Sequence, residues 1–130
     1  MKICIIGTGY VGLVSGVCFS ELGHFVTCVD LNEEKINKLK KGLSPIYEPG
    51  IENLIQKNLN TGRLKFTTEL KHSVEETDII FITVGTPSKE NGEADLSYVE
   101  EAAMSIGKSL SNYKIIVMKS TVPVGTGKKI

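Results

Sequence analysis

The chain has 130 residues, 41% of them hydrophobic, which is one domain's worth of length with enough apolar side chains for a proper core. Fifteen Lys and Arg balance fifteen Asp and Glu, so no basic excess points to nucleic acid and no basic stripe to a membrane surface. No secretory leader precedes the first strand and no run approaches the roughly 20 apolar residues of a membrane span; Cys4, Cys18 and Cys28 fit no zinc spacing and read as three buried thiols of a cytoplasmic protein.

In chain order, Lys2 to Ile6 (KICII) is a short apolar run ending at glycine and predicts a buried strand. Small and apolar residues from Tyr10 to Leu22 predict a helix closed by Gly23. Phe25 to Val29 (FVTCV) predicts a second strand, ending at Asp30. Asn32 is placed to cap a helix over Glu33 to Lys41, with Ile36, Leu39 and Leu43 towards one face. After a turn at Pro45, Glu48-Pro49 predicts a helix start with proline at the first helical position, and Ile51, Leu54, Ile55 and Leu59 carry the apolar face. A short strand follows at Leu64 to Phe66, then a brief helix through Glu76 capped by Thr68. Asp78 to Val84 (DIIFITV) is the fourth strand, Leu96 to Leu110 an amphipathic helix, and Lys114 to Met118 (KIIVM) the fifth strand. The last residues, GTGKKI, read as a helix begun and not finished, which predicts the front part of a longer protein. Apolar strands alternating with helices predict an α/β fold: a parallel, doubly wound, Rossmann-type sheet in three layers.

Between the first strand and first helix lies Gly-Thr-Gly-Tyr-Val-Gly, Gly7 to Gly12. Gly7 permits a tight turn, Gly9 lets the backbone approach a pyrophosphate, and Gly12 lets helix and strand pack closely. The helix N-terminus offers N–H groups and a positive dipole end to the anion. Asp30 ends the second strand 18 residues past Gly12, close to the spacing of about 20 at which an acid meets the ribose hydroxyls. No arginine follows it to accept a 2′-phosphate, so NAD is favoured over NADP. The competing reading is a turn whose glycines only pack, with Asp30 capping the next helix; agreement of four features in order and spacing weighs against it.

Two further loops leave the carboxyl ends of strands, where ligands bind in such sheets. These are Val84-Gly85-Thr86-Pro87 and Ser120-Thr121-Val122-Pro123. They flank the nicotinamide half of a dinucleotide, or they are ordinary turns, in which Thr and Pro are common; their composition does not choose. His24 and His72 read as solvated. No Ser/His/Asp order and no metal-ligand cluster stands out.

MKICIIGTGYVGLVSG, VDLNEEKINKLKKGLSPIYEPGIENLI, DIIFITVGTPSKENGEADLSYVEEA and KSTVPVGT together resemble the UDP-glucose/GDP-mannose dehydrogenase family along essentially the whole chain. SPIYEPG and GTPS…ADLSYV are the most specific segments, and are most similar to the branch that acts on UDP-glucose. The resemblance implies a parent enzyme that oxidises a sugar-nucleotide primary alcohol to a carboxylate in two NAD-dependent steps. It implies that Gly7, Thr8, Gly9, Tyr10, Val11 and Gly12 hold the pyrophosphate and that Asp30 and Lys35 meet the adenosine ribose. It implies that Val84, Gly85, Thr86, Pro87, Ser88, Ser120, Thr121 and Val122 line the cofactor, and that Thr121 stands near the reacting carbon and helps to position water or substrate. Glu48, in the EPG segment, is expected to support loop geometry.

The family's nucleophile is a cysteine in a later glycine-rich segment, which forms a thiohemiacetal and then a thioester that water cleaves. None of Cys4, Cys18 and Cys28 matches it, and the family's helical linker and sugar-nucleotide domain have no counterpart in these residues. Residues 1–130 are therefore expected to be an incomplete N-terminal NAD-binding domain that binds NAD without turnover, its parent a homo-oligomer. A GDP-mannose, UDP-N-acetylmannosamine or β-hydroxyacid dehydrogenase, and a non-catalytic NAD-sensing module, are the alternatives.

Overall fold

The computed structural model describes residues Met1–Ile130. Five strands form its centre: β1 (Lys2–Ile6), β2 (Phe25–Val29), β3 (Leu64–Thr67), β4 (Ile79–Ile82) and β5 (Ile115–Met118). All pair in parallel, in the order β3-β2-β1-β4-β5. Around them run α1 (Tyr10–Glu21), α2 (Glu33–Lys40), α3 (Ile51–Asn60), α4 (Leu70–Glu76), α5 (Ser97–Ser109) and the single turn α6 (Thr126–Lys129).

The period-two alternation of β1 divides the core. Ile3 and Ile5 pack with Leu13 and Val17 of α1, Ile36 and Leu39 of α2, and Ile51 and Ile55 of α3. Cys4 and Ile6 face the other way, against Val74 of α4 and Ala102 and Ile106 of α5. Both faces of the central strand are thus covered, which is why KICII reads as a continuous apolar run. The result is the expected three-layer α/β sheet. The chain builds outward from β1 to β3 and then returns to β4 on the other side of β1. That reversal opens a crevice between the carboxyl ends of β1 and β4.

Several boundaries differ from the sequence expectations. Helix α3 begins at Ile51 and not at Pro49: the Ile51 amide bonds the Glu48 carbonyl (3.2 Å), so residues 48–50 form a turn, with Gly50 left-handed at φ 83° as the N-cap. Thr68 does not cap α4. The preceding hydroxyl, Thr67 Oγ1, accepts the Glu69 amide (3.1 Å), and Glu69 is the N-cap. The fourth strand stops at Ile82: the Thr83 amide makes a last bond to the Ile6 carbonyl of β1 (2.9 Å), and Val84 begins the loop. Leu43 lies beyond the end of α2 and is exposed. Cys4 and Cys28 are buried, but Cys18 is exposed, since α1 buries Leu13, Gly16, Val17 and Ser20 and turns residue 18 to solvent. The Asn32 cap is as expected, its side chain accepting the Lys35 amide at 3.0 Å. No helix is long and apolar enough to cross a membrane.

Candidate functional site

The glycine loop leaves the end of β1 and enters α1 at the lip of this crevice. Gly7 has φ 99°, and a Cβ there would stand 2.8 Å from the Thr83 carbonyl oxygen. A Cβ on Gly12 would stand 1.9 Å from the Gly7 carbonyl oxygen and 2.5 Å from Thr83 Oγ1. Backbone geometry and packing therefore require both glycines with or without a ligand. Gly9 is different. Its φ of −70° suits any residue, it is exposed, and a Cβ there would meet nothing within 4 Å. Nothing inside the chain calls for glycine at this position, whereas close approach by an anion does. No side chain caps the N-terminus of α1, so its first N–H groups face outward with the positive end of the helix dipole. A pyrophosphate fits this cradle.

Thr83, missed in the sequence reading, holds the loop from behind. Its buried hydroxyl lies 2.9 Å from the carbonyl oxygens of both Ile6 and Gly7 and donates between them, while its amide donates to Ile6 (2.9 Å). The available signal was a hydroxyl inside the otherwise apolar run DIIFITV.

Thr8 is wholly buried and turns towards Asp30. Its amide (3.0 Å) and hydroxyl (2.7 Å) both donate to Asp30 Oδ2, and Lys35 Nζ lies 3.5 Å from the same oxygen. Asp30 Oδ1 accepts the Asn32 amide at 3.0 Å. Burial pushes the Asp30 carboxyl up, but the Asn32 amide, the Thr8 hydroxyl and amide, and the Lys35 charge outweigh it and hold the group below its usual range. The acid at the end of β2 is thus an ionised acceptor tied to the glycine loop. It does not cap α2, whose cap is Asn32.

The other two loops meet at one point: Ser120 Oγ donates to the Val84 carbonyl (2.8 Å). The Pro87 carbonyl accepts the Asp95 amide (2.7 Å), and Ser88 bridges Ala94, which anchors the polar segment that follows. Thr86 is half-buried, whereas Gly85, Pro87 and Thr121 are exposed. Tyr10 and Val11, on the first turn of α1, are also exposed, and the Tyr10 hydroxyl donates to Glu48 Oε2 at 2.5 Å. His24 is half-buried; His72 is exposed beside Glu76. Burial raises the Cys4 thiol to about 12 and raises Cys28 further, so neither is a ready thiolate.

Comparison with known proteins gives the family. Residues 1–130 match the family described as UDP-glucose/GDP-mannose dehydrogenase family, NAD binding domain. The UDP-glucose 6-dehydrogenase TuaD of Bacillus subtilis is 57% identical over 129 residues, 99% of this chain and 28% of its own length. The crystal structure of a ternary complex of GDP-mannose dehydrogenase from Pseudomonas aeruginosa superposes with a TM-score of 0.96 at 46% identity, over 98% of this chain and 30% of that one. A UDP-glucose dehydrogenase structure from the archaeon Pyrobaculum islandicum gives 0.93 at 42% identity, over 96% and 30%. The chain spans about 30% of the length of these relatives. With the glycine cradle, the acid at the end of β2 and the match over every residue, the chain belongs to the UDP-glucose/GDP-mannose dehydrogenase family, as its NAD-binding domain.

Proposed function

We propose that this chain is the NAD-binding portion of an enzyme that oxidises UDP-glucose to UDP-glucuronate in two NAD-dependent steps. The observation that carries the cofactor assignment is Gly9, open to solvent and required by nothing in the chain itself, beside an ionised Asp30. The sugar nucleotide is inferred from relatives named UDP-glucose 6-dehydrogenase at 45–57% identity.

NAD, when bound, accepts the hydride removed from the substrate. The residues of this chain bind and orient. The backbone of Gly7 to Gly12 and the α1 N-terminus receive the pyrophosphate. Thr8 acts through Asp30, since its own side chain is buried. Asp30 and Lys35 face the adenosine ribose, and a 2′-phosphate would add negative charge next to the Asp30 carboxylate. Val84 to Pro87 and Ser120, joined by the Ser120–Val84 bond, line the nicotinamide half. Thr121, exposed at the end of the β5 loop, is the auxiliary group near the reacting carbon.

The covalent nucleophile is not among these residues. Two of the three thiols are buried and neutral, and Cys18 lies in the second half of α1, away from the helix N-terminus that faces the glycine loop. Residues 1–130 therefore bind NAD without turnover, with the sugar-nucleotide domain and the oligomer contacts of the parent supplied by other sequence. Unpaired thiols fit a reducing, cytoplasmic setting. The backbone match to GDP-mannose dehydrogenase favours a second reading, a parent acting on GDP-mannose; turnover of the full-length protein with each sugar nucleotide separates the two.

Titration of the chain with NAD and NADP, beside Asp30→Ala, tests the cofactor assignment. Saturable NAD binding is expected, with NADP weaker and Asp30→Ala weakened by about tenfold or more, the scale of a lost hydrogen bond to a charged group. A folded chain with no affinity for NAD would overturn it.

A further inference from the structure

The connection between α2 and α3 is secured along its first part. Ser44 Oγ donates to the Ile46 carbonyl (2.9 Å), Glu52 accepts the Ser44 amide (3.0 Å), and Ile46 packs on the core. Beyond Ile46 the chain swings outward, and Tyr47 is 96% exposed. Residues from Ser44 to Asn53 line an open groove of about 490 Å³ that no residue of the glycine loop enters. One side-chain hydrogen bond ties this outer part back, from the Tyr10 hydroxyl to Glu48 Oε2 at 2.5 Å, across 38 residues of sequence.

The position of that bond is its significance. Tyr10 directly follows Gly9 and opens α1, so its partner is held at the rim of the anion cradle. Core packing does not require the contact: Tyr10 is 54% exposed and Glu48 is not part of either hydrophobic cluster. A carboxylate near a site for a diphosphate is unfavourable on charge grounds alone. The Tyr10 hydroxyl disperses part of that charge, and Glu48 in turn raises the hydroxyl above its ordinary pKa. The pair is therefore suited to holding a position and not to contacting the anion.

We infer that Tyr10 and Glu48 are a positioning pair, a clasp that holds residues 47–50 against the start of α1 and so fixes the backbone of the anion cradle at its rim. This rests on the dinucleotide assignment of the glycine loop. Neither residue touches the reacting atoms; each acts through the backbone it holds.

A double-mutant cycle on NAD affinity tests the clasp, using the 130-residue chain with Tyr10→Phe, Glu48→Ala, both together, and Glu48→Gln. Tyr10→Phe keeps the ring and removes only the donor. Each of Tyr10→Phe and Glu48→Ala is expected to weaken NAD binding by about fivefold, a hydrogen bond to a charged group reduced by its exposure. The double variant is expected to be no weaker than either single, and Glu48→Gln, which keeps an acceptor at the same reach, to recover most of the loss. Thermal unfolding of the free variants is read in parallel. Lower melting temperatures with unchanged NAD affinity would make the bond structural only and overturn the inference. So would fully additive losses, which mean that the two residues act separately. Failure of the unaltered, folded chain to bind NAD would overturn the dinucleotide assignment, and the clasp with it.

Discussion

At the scale of single residues, the glycine loop is held from two sides. Thr83 supplies the only hydrogen-bond donor to the Gly7 carbonyl, and Asp30 accepts twice from Thr8. Thr83→Val keeps the shape and removes the donor. It should cost about 1–2 kcal/mol in urea unfolding and weaken NAD, while Thr83→Ser stays close to the unaltered chain. Asp30 adds a pH dependence. Its folded pKa is depressed, so its contribution is present above the unfolded value, about 3.9, and is lost as pH falls through the folded value. In Asp30→Asn, stability near neutral pH should fall and the acid limb of the stability profile should flatten, as read from denaturant midpoints across the acid range. The three glycines and Asp30 were legible because their spacing follows from one strand–turn–helix unit. Thr83 and the Tyr10–Glu48 pair were not, because their partners lie 76 and 38 residues away.

At the scale of elements, α1, α3 and β3 are braced by polar contacts that hydrophobic periodicity does not report. Asn58 is fully buried on α3. Its Nδ2 donates to Glu21 Oε2 of α1 and to the Leu54 carbonyl, both at 2.9 Å, and its Oδ1 accepts from Arg63 Nη2 (3.4 Å). Arg63 Nε also donates to the Ser20 carbonyl at the end of α1 (3.1 Å). Asn58→Ala should destabilise the chain by about 1–3 kcal/mol, since it removes the hydrogen bonds by which a buried side chain ties α3 to Glu21 and Arg63; a denaturant midpoint equal to that of the unaltered chain would refute this. The apolar stripe Ile51, Leu54, Ile55 and Leu59 was readable in the sequence. The N-terminus of α3 was not, because Pro49 suits a turn and a first helical position equally, and the left-handed Gly50 decided for the turn.

At the scale of the whole molecule, the two edges of the sheet differ. On β3 the exposed residue is Lys65, whereas on β5 Ile115 and Ile116 are 48% and 44% exposed, next to an 88% exposed Tyr113. An apolar parallel edge with free backbone groups is a template for association. The chain should therefore self-associate with rising concentration in sedimentation velocity, and Ile116→Lys should shift it towards monomer without loss of NAD binding. A monomer at all concentrations before substitution would contradict this.

The sequence by itself determined the number and type of the main elements, the parallel sheet and the position of the glycine loop. These depend on local spacing: a period of two or of 3.6, glycines at a turn, an acid at a strand end. Only the tertiary structure decided which glycines packing requires and which it leaves open, which thiol is exposed, and which side chains secure the loop. Those outcomes depend on what lies across the sheet from a residue, and β1 meets β4 only after 72 intervening residues have folded around it.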